Sequence, residues 1–325
     1  MSGEPLLRVE DAHVRFPIRG GLLQRVTTEV AAVSGVSLEI NRGEAFGIVG
    51  ESGCGKTTLA RAILRLQPLS AGRLVFDGTD ITHATGRELA PFRRRVQAVF
   101  QDPFASLNPR KRTRELIGEP LRVHGKATRG DVGRRVGELL ELCELPARFA
   151  ELYPHEMSGG QRQRVGIARA LAIDPEMIVC DEAVSALDVS VQAQIINLLD
   201  RLRRELALTY VFIGHDLSVV RHLCDRVAVM YLGKVMELSP SDELFVDPHH
   251  PYTRALIDAV PSPDPASEAI RESVPLPGEV PSPSDPPAGC VFHTRCPRVE
   301  PRCRTEIPPL RHANRRSLAC WRADP

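Results

Sequence analysis

The sequence predicts an α/β fold built around a phosphate-binding loop, and three observations carry that prediction. Residues Gly50-Glu51-Ser52-Gly53-Cys54-Gly55-Lys56-Thr57 match G-x-x-x-x-G-K-[ST] at every fixed position, with Thr58 directly behind. The apolar run Phe46, Ile48, Val49 before the loop reads as a buried strand, and Leu59, Ile63 and Leu66 after it recur at helical spacing. A second apolar run, Met177-Ile178-Val179-Cys180, ends in Asp181-Glu182, the pattern of a central parallel strand with acids at its carboxyl end. Glycines let backbone approach a phosphate without a Cβ in the way, and convergent N–H groups and the positive end of a helix dipole hold the oxygens. Lys56 has the reach for β- and γ-phosphates, and the Thr57 hydroxyl suits Mg²⁺.

A chain of 325 residues can bury a full α/β core and still carry an appendage. The net charge of +1 leaves no electrostatic footprint for nucleic acid, which is disfavoured as a partner, and Arg93-Arg94-Arg95 reads as a solvated helix face. No apolar stretch approaches the ~20 residues that span a bilayer, and Met1 to Glu10 lacks a signal-peptide core. The expectation is a cytosolic protein able to dock on a membrane protein. Of the eight cysteines, Cys54, Cys143, Cys180 and Cys224 are scattered, whereas Cys290, Cys296, Cys303 and Cys320 crowd the tail. In a cytosolic chain such crowding points to metal or redox chemistry rather than disulfides.

Taken in order, Leu7 to Phe16 and Val30 to Ile40 are β-rich runs, and Gly72 to Ile81 sets Leu74 and Phe76 against Arg73 and Asp77. Together they predict a small antiparallel sheet flanking the nucleotide core. Residues Gly20 to Arg25 between the first two runs read as a surface loop. Phe16, near a strand end, is either a core residue or a platform for an adenine ring. Val96 to Phe100 is a short apolar run that delivers Gln101 to the carboxyl edge of the sheet, where open α/β folds bind ligands. From about Arg112 to Tyr153 the chain is charged and Leu-rich, and Leu139, Leu140, Leu142 and Leu145 mark an inserted helical lobe.

Met157-Ser158-Gly159-Gly160-Gln161 then opens a helix with Val165, Ala168 and Leu171 on one face. Ser158 and Gln161 form a capping box, which suits an ordinary helix start, while the two glycines bare the N-terminus as an anion site. Two carboxylates at Asp181 and Glu182 are costly unless they serve a cation or a reaction. Asp181 suits Mg²⁺, and Glu182 an attacking water. Ser185-Ala186-Leu187-Asp188 turns into a helix with Val191, Ile195, Leu198, Leu199 and Leu202 on its apolar face. Tyr210 to Ile213 is another buried strand leading to His215, either a structural histidine or a γ-phosphate contact. Arg226 to Leu238, with Gly233 between two apolar runs, reads as a β-hairpin.

The ordered set of these motifs, over roughly residues 7 to 240, resembles the ATP-binding subunits of ABC transporters: Walker A at Gly50 to Thr57, glutamine loop at Gln101, signature at Met157 to Gln161, Walker B at Met177 to Asp181 followed by Glu182, D-loop at Ser185 to Asp188, and switch histidine His215. Phe16-Pro17-Ile18-Arg19-Gly20-Gly21, Gln101 to Arg110 and His250-Pro251-Tyr252-Thr253-Arg254-Ala255-Leu256 look like the oligopeptide and dipeptide importer branch, specifically its second (F-type) ATPase. Met157 for leucine, Ala183-Val184 for Pro-Thr and Gly214 for serine depart from the usual pattern without removing a reacting group. A DNA-repair relative would show a long coiled-coil insertion, a translation factor two tandem cassettes, and an inactive subunit the loss of Lys56, Glu182 or His215; the sequence has none of these.

The resemblance implies a P-loop NTPase (RecA-like) α/β core with a flanking antiparallel β subdomain and an inserted helical subdomain at about 102–170. The cassette would span 7–240, and 241–325 would be a C-terminal extension with a Pro-rich linker and a cysteine cluster. It further implies ATP and Mg²⁺ as ligands. The metal would be held by Thr57, Gln101 and Asp181, and catalysis would fall to Glu182, His215 and Gln101. Phe16 takes the A-loop position, and Gly50 to Thr58 cradle the nucleotide. Two cassettes, expected to be non-identical, would stack head to tail, so that Ser158, Gly159, Gly160 and Gln161 of one cover the nucleotide of the other while Asp188 communicates across the pair. The remaining implied partners are two integral-membrane permease subunits and an extracytoplasmic solute-binding protein, which places the chain on the cytoplasmic membrane face. The transported solute is expected to be a di- or oligopeptide, with nickel or another solute as the alternative.

In the tail, Pro261 to Ala288 is dense in proline and serine and reads as an extended linker. Four thiolates at Cys290, Cys296, Cys303 and Cys320 suit zinc or an iron–sulfur cluster, although compact C-x-x-C pairs are absent. A similar cysteine tail in the peptide-importer ATPases implies a [4Fe-4S] site, with zinc or structural thiols as alternatives.

Overall fold

A computed structural model describes residues 4–20, 25–101, 106–126, 130–185, 187–259 and 278–324. The chain divides into two compact units. Among the described residues, one lies within Asn41–Ala45 and His83–Ile213, and the other within 4–40, 46–82 and 214–324.

The unit centred on His83–Ile213 is built on three parallel strands, β6 (Val96–Phe100), β7 (Met177–Asp181) and β8 (Thr209–Ile213), with β7 in the middle. Every residue of β7 and β8 is buried, as a strand covered on both faces requires. In register, Phe100 lies opposite Asp181 and Asp181 opposite Ile213, so Gln101 and Glu182 leave the same sheet edge. Helix α2 (Ala90–Arg95) leads into β6. Its Arg95 is not simply solvated as the sequence suggested: its guanidinium donates to the Glu176 carboxylate at 2.5 and 2.7 Å, and Arg42 joins at 2.8 Å. Those bonds, the one from Arg95 first, hold the Glu176 carboxyl below its usual range.

Between β6 and β7 the chain forms α3 (Thr113–Val123), α4 (Val132–Leu142) and α5 (Gly159–Leu171). Leu139 and Leu140 of α4 and Val165, Ala168 and Leu171 of α5 are buried, which confirms the helical period read from the sequence. Helix α6 (Val189–Leu206) buries Ile195, Ile196, Leu198, Leu199 and Leu202, and the Tyr210 hydroxyl donates to the Leu199 carbonyl at 3.0 Å.

In the other unit, β1 (Leu7–Gly20), β2 (Arg25–Ile40), β4 (Ala71–Phe76) and β5 (Thr79–Asp80) form an antiparallel sheet in the order β2-β1-β4-β5. The strands run further than their β-rich cores suggest. Gly20 pairs with Arg25, so both ends of the expected surface loop belong to the strands, and residues 21–24 lie outside the described residues. Strand β3 (Ala45–Val49) is wholly buried and pairs in parallel with β9 (Arg226–Tyr231), which turns at Gly233 (φ 75°) into β10 (Lys234–Pro240). This is the expected hairpin. The tail then adds β11 (Arg311–Ala313) and β12 (Arg316–Leu318), with β12 pairing antiparallel to β10. Helix α1 (Lys56–Ile63) follows the loop after β3, but it stops at Ile63, so Leu66 is 59% exposed rather than on the buried face with Leu59 and Ile63. Most of the proline-rich linker, 260–277, lies outside the described residues.

Candidate functional site

Backbone geometry makes the Gly50–Thr58 segment a cradle. Gly50 has φ 149°, and a Cβ there would sit 2.2 Å from the Met230 carbonyl oxygen; Gly55 has φ 103°, and a Cβ would sit 2.1 Å from the Ala32 carbonyl oxygen. Neither position tolerates a side chain, and both need the conformational freedom of glycine. As the N-cap of α1, Gly55 makes no side-chain cap to the first turn. Lys56 is 5% exposed, and its ammonium donates to the Gly50 carbonyl at 2.7 Å and the Glu51 carbonyl at 2.9 Å, with Cys54 Sγ at 3.7 Å. Ser52 and Gly53 are exposed, and Thr57 and Thr58 stand half-buried on the first turn of α1. Glycines that no side chain can replace, a lysine turned into the loop and a helix N-terminus without a side-chain cap fit a nucleoside triphosphate with its Mg²⁺.

Sequence reasoning did not foresee how Glu51 is held. Its backbone N–H donates to the Tyr252 hydroxyl at 2.9 Å, and its carboxylate accepts two bonds from Arg295, at 2.8 and 3.2 Å. Tyr252 lies in the first turn of α8 (Pro251–Asp258) and packs with Tyr231 and Phe292, and His250 packs in turn on Phe292. Phe292 meets Tyr231 edge-on at 5.3 Å, and the Arg295 guanidinium lies 5.9 Å from the Tyr231 ring centre. The His-Pro-Tyr-Thr run was legible as a branch marker, but its contact with the phosphate loop was not. Arg295 carried no signal beyond its place between two cysteines.

His250 in this cluster is 1% exposed, and its Nδ1 accepts from the Tyr252 N–H at 3.0 Å. Burial pushes its pKa down from 6.5 to about 3. The folded chain therefore binds fewer protons than the unfolded chain between those values. The stabilising term is fully present above pH 6.5 and is lost as the pH falls toward 3. Thermal melts from pH 7 to 4 are expected to show a steeper fall for the parent than for His250→Gln; parallel curves would contradict this origin.

At the carboxyl end of β7, Asp181 is 8% exposed and Glu182 is half-buried. Glu182 adopts φ 49°, a left-handed conformation that costs a non-glycine residue energy. Three bonds hold it there: its N–H donates to the Ile213 carbonyl at 2.8 Å, while its carbonyl accepts from the Ser185 N–H at 3.1 Å and hydroxyl at 3.0 Å. Gln101 is exposed just past β6, and residues 102–105 of its loop fall outside the described residues.

Ser158 is exposed at the N-cap of α5, and the predicted capping box is present. The Gln161 N–H donates to the Ser158 hydroxyl at 3.4 Å, and the Gln161 side-chain oxygen accepts from the Ser158 N–H at 2.9 Å. The glycines after it have a packing reason that the sequence did not reveal. A Cβ at Gly160 would sit 2.4 Å from Val191 Cγ1, and one at Gly159 would sit 3.1 Å from Leu187 Cδ2. The signature thus packs directly on the start of α6, where Asp188 is the N-cap and accepts from the Val191 N–H at 3.0 Å. Gly160→Ala is expected to cost about 1–3 kcal/mol in denaturant unfolding, the usual range for overpacking. Gly160→Ala/Val191→Ala should recover most of it, and an unshifted single-variant midpoint would contradict the contact.

Two further predicted residues sit at surfaces. His215 is exposed between β8 and α7 (Leu217–Leu223). Phe16 is 38% exposed on β1, which excludes the core alternative and leaves a ring available for stacking.

The cysteine cluster does not bear out the metal expectation. Cys290, Cys303 and Cys320 are buried and Cys296 partly so, and all eight cysteines are free thiols. Among the described residues, no three Cys, His, Asp or Glu side chains are arranged to hold a metal ion, so neither the [4Fe-4S] nor the zinc ligand set is found. Burial, with a smaller contribution from the neighbouring Cys303, Cys296 and Cys320, pushes the Cys290 thiol up to about 11.

Comparison with known proteins agrees with this geometry. A family model for the ABC transporter matches residues 33–185, and one for the oligopeptide/dipeptide transporter C-terminal region matches residues 236–303. The chain is 53% identical to the oligopeptide transport ATP-binding protein AppF of Bacillus subtilis, over 95% of this chain and 94% of that protein. It is 52% identical to a probable peptide ABC transporter ATP-binding protein of Sinorhizobium fredii, over 94% of this chain and 86% of that one. Among solved structures it is similar to a dimeric ATP-binding cassette in a post-hydrolysis state with ADP and Pi bound, with a TM-score of 0.64, 30% identity and coverage of 72% of this chain and 98% of that one. The cbiO1 cassette of Clostridium perfringens gives a TM-score of 0.65 at 27% identity, covering 75% and 92%. The α/β core is therefore that of a P-loop NTPase, and the chain belongs to the ATP-binding, ATP-hydrolysing proteins of the ABC transporter family, in the branch with the oligopeptide/dipeptide transporter C-terminal region.

Proposed function

We propose that this chain drives uptake of di- or oligopeptides as one of two ATPase subunits of a membrane importer. The observation that carries the peptide assignment is that the matched C-terminal region supplies both Tyr252 and Arg295 to Glu51 of the phosphate loop. The part of the chain specific to the branch is thus built into the nucleotide site, and the relatives' names associate that region with peptide transport.

In this reading Lys56 and the N–H groups of the loop bind the triphosphate, and Thr57, Gln101 and Asp181 are the residues that would hold Mg²⁺, which supplies charge neutralisation. Glu182 takes a proton from the attacking water, and His215 orients the γ-phosphate. Phe16 stacks on the adenine. Ser158 with Gly159, Gly160 and Gln161 covers the nucleotide of a second, non-identical cassette, and Asp188 lies at the seam. The dimeric form of the similar cassette supports that pairing. No helix among the described residues is long and apolar enough to cross a membrane, so the chain would act by docking on two permease subunits at the cytoplasmic face, with a solute-binding protein outside.

Deleting the gene and measuring uptake of labelled di- and tetrapeptides tests the assignment. Lost peptide uptake, restored by the parent and not by Lys56→Ala, is the expected result. Normal peptide uptake with loss of another solute, such as nickel, would reassign the cargo.

A further inference from the structure

The Glu51 carboxylate poses an electrostatic problem. It lies one residue after Gly50, in a loop whose function requires it to hold a polyanion, and an acid there repels phosphate unless it is neutralised and turned away. Arg295 does both. Its guanidinium is 7% exposed and grips the carboxylate as a two-pronged fork, at 2.8 and 3.2 Å, over the face of Tyr231. The fork is itself fixed. The Arg295 N–H donates to the Phe292 carbonyl at 3.0 Å, Phe292 is fully buried against Tyr231 and Tyr252, and the Cys290 N–H donates to the Cys303 carbonyl at 2.8 Å. Glu51 is therefore tied at three points: its N–H to Tyr252, its carboxylate to Arg295 and its carbonyl to Lys56. The last of these is the ammonium that the phosphate-binding role requires, so a shift of Glu51 moves the Lys56 partner with it.

We propose that Arg295 of the C-terminal extension is a positioning residue for the nucleotide, neutralising and fixing Glu51 so that the phosphate loop is preset to receive a triphosphate. The inference rests on the phosphate-loop reading of Gly50–Thr58. It gives the extension a part in ATP binding that needs no metal. Arg295 lies in the sequence between Cys290 and Cys296, so the tail that carries the thiols also carries the clamp.

The test is titration of the full-length chain with a non-hydrolysable ATP analogue and Mg²⁺, alongside steady-state ATPase measurements. Arg295→Met, which leaves an unpaired carboxylate beside the triphosphate, should weaken analogue binding about tenfold, a typical coupling for directly paired residues. It should raise KM for ATP by a similar factor with kcat nearly unchanged, because no reacting group is touched. Arg295→Lys, which restores charge without the fork, should recover part of the affinity. Glu51→Gln/Arg295→Met should bind within about threefold of the parent, since neither charge remains. Parent-like affinity in a folded Arg295→Met overturns the proposal. So does a double variant as weak as Arg295→Met, because it would show that Arg295 acts through packing alone. Lys56→Ala is the control: if it binds like the parent, the phosphate-loop reading itself fails, whatever Arg295 does.

Discussion

Glu182→Gln is expected to reduce steady-state ATP hydrolysis by the assembled transporter at least about 100-fold, the lower end of the contribution of a positioned general base. The amide keeps the size of the side chain and the bonds that hold its backbone. The Ile213 carbonyl and Ser185 still fix a residue at φ 49°, so the variant should fold and bind MgATP like the parent. Only the capacity to accept a proton is removed. With binding intact and turnover lost, the two-cassette assembly should accumulate in the ATP-bound closed form, seen as a dimer by light scattering only when MgATP is present. Hydrolysis at the parent rate would remove Glu182 from the chemistry. It would also leave the strained backbone at that position without an explanation.

Lys56→Ala should act earlier, on binding. The ammonium is almost wholly buried and donates to two loop carbonyls, at 2.7 and 2.9 Å, so the substitution removes the positive charge intended for the phosphates and also two internal ties of the loop. Loss of a charge-assisted bond costs about 1.5–3 kcal/mol, so ATP affinity is expected to fall at least about tenfold. The two variants then separate on one pair of measurements: Glu182→Gln binds and does not turn over, and Lys56→Ala fails to bind. A titration in which Lys56→Ala matches the parent would refute the loop as the phosphate site.

The site was legible wherever chemistry demands particular residues in an uninterrupted run. The loop Gly50 to Thr57, the strand ending at Asp181 and the Ser158–Gln161 capping box are local patterns, and the structure shows each on the expected element. Reasoning from local pattern failed where a distant neighbour decides the outcome. Arg95 read as solvated because its partner Glu176 lies far along the chain. Leu66 matched the helical period, but α1 ends at Ile63 before reaching it. The glycines of the signature also carry a packing constraint that no local pattern shows, since Cβ atoms there would crowd Val191 and Leu187. The four tail cysteines suggested a ligand set by their number, but spacing along the chain does not set thiol geometry, and no group able to hold a metal ion is found among the described residues.

The sequence by itself determined the phosphate loop, the acidic strand end, the order of the motifs and hence the family, because each of these depends on residues adjacent along the chain. Tertiary structure alone decided what holds the loop: Tyr252 and Arg295 reach Glu51 from 201 and 244 residues away. No periodicity links residues so far apart. Their meeting depends on the β9–β10 hairpin and the buried aromatic cluster of Tyr231, Tyr252 and Phe292, which fold the tail back onto the loop that opens the chain's chemistry.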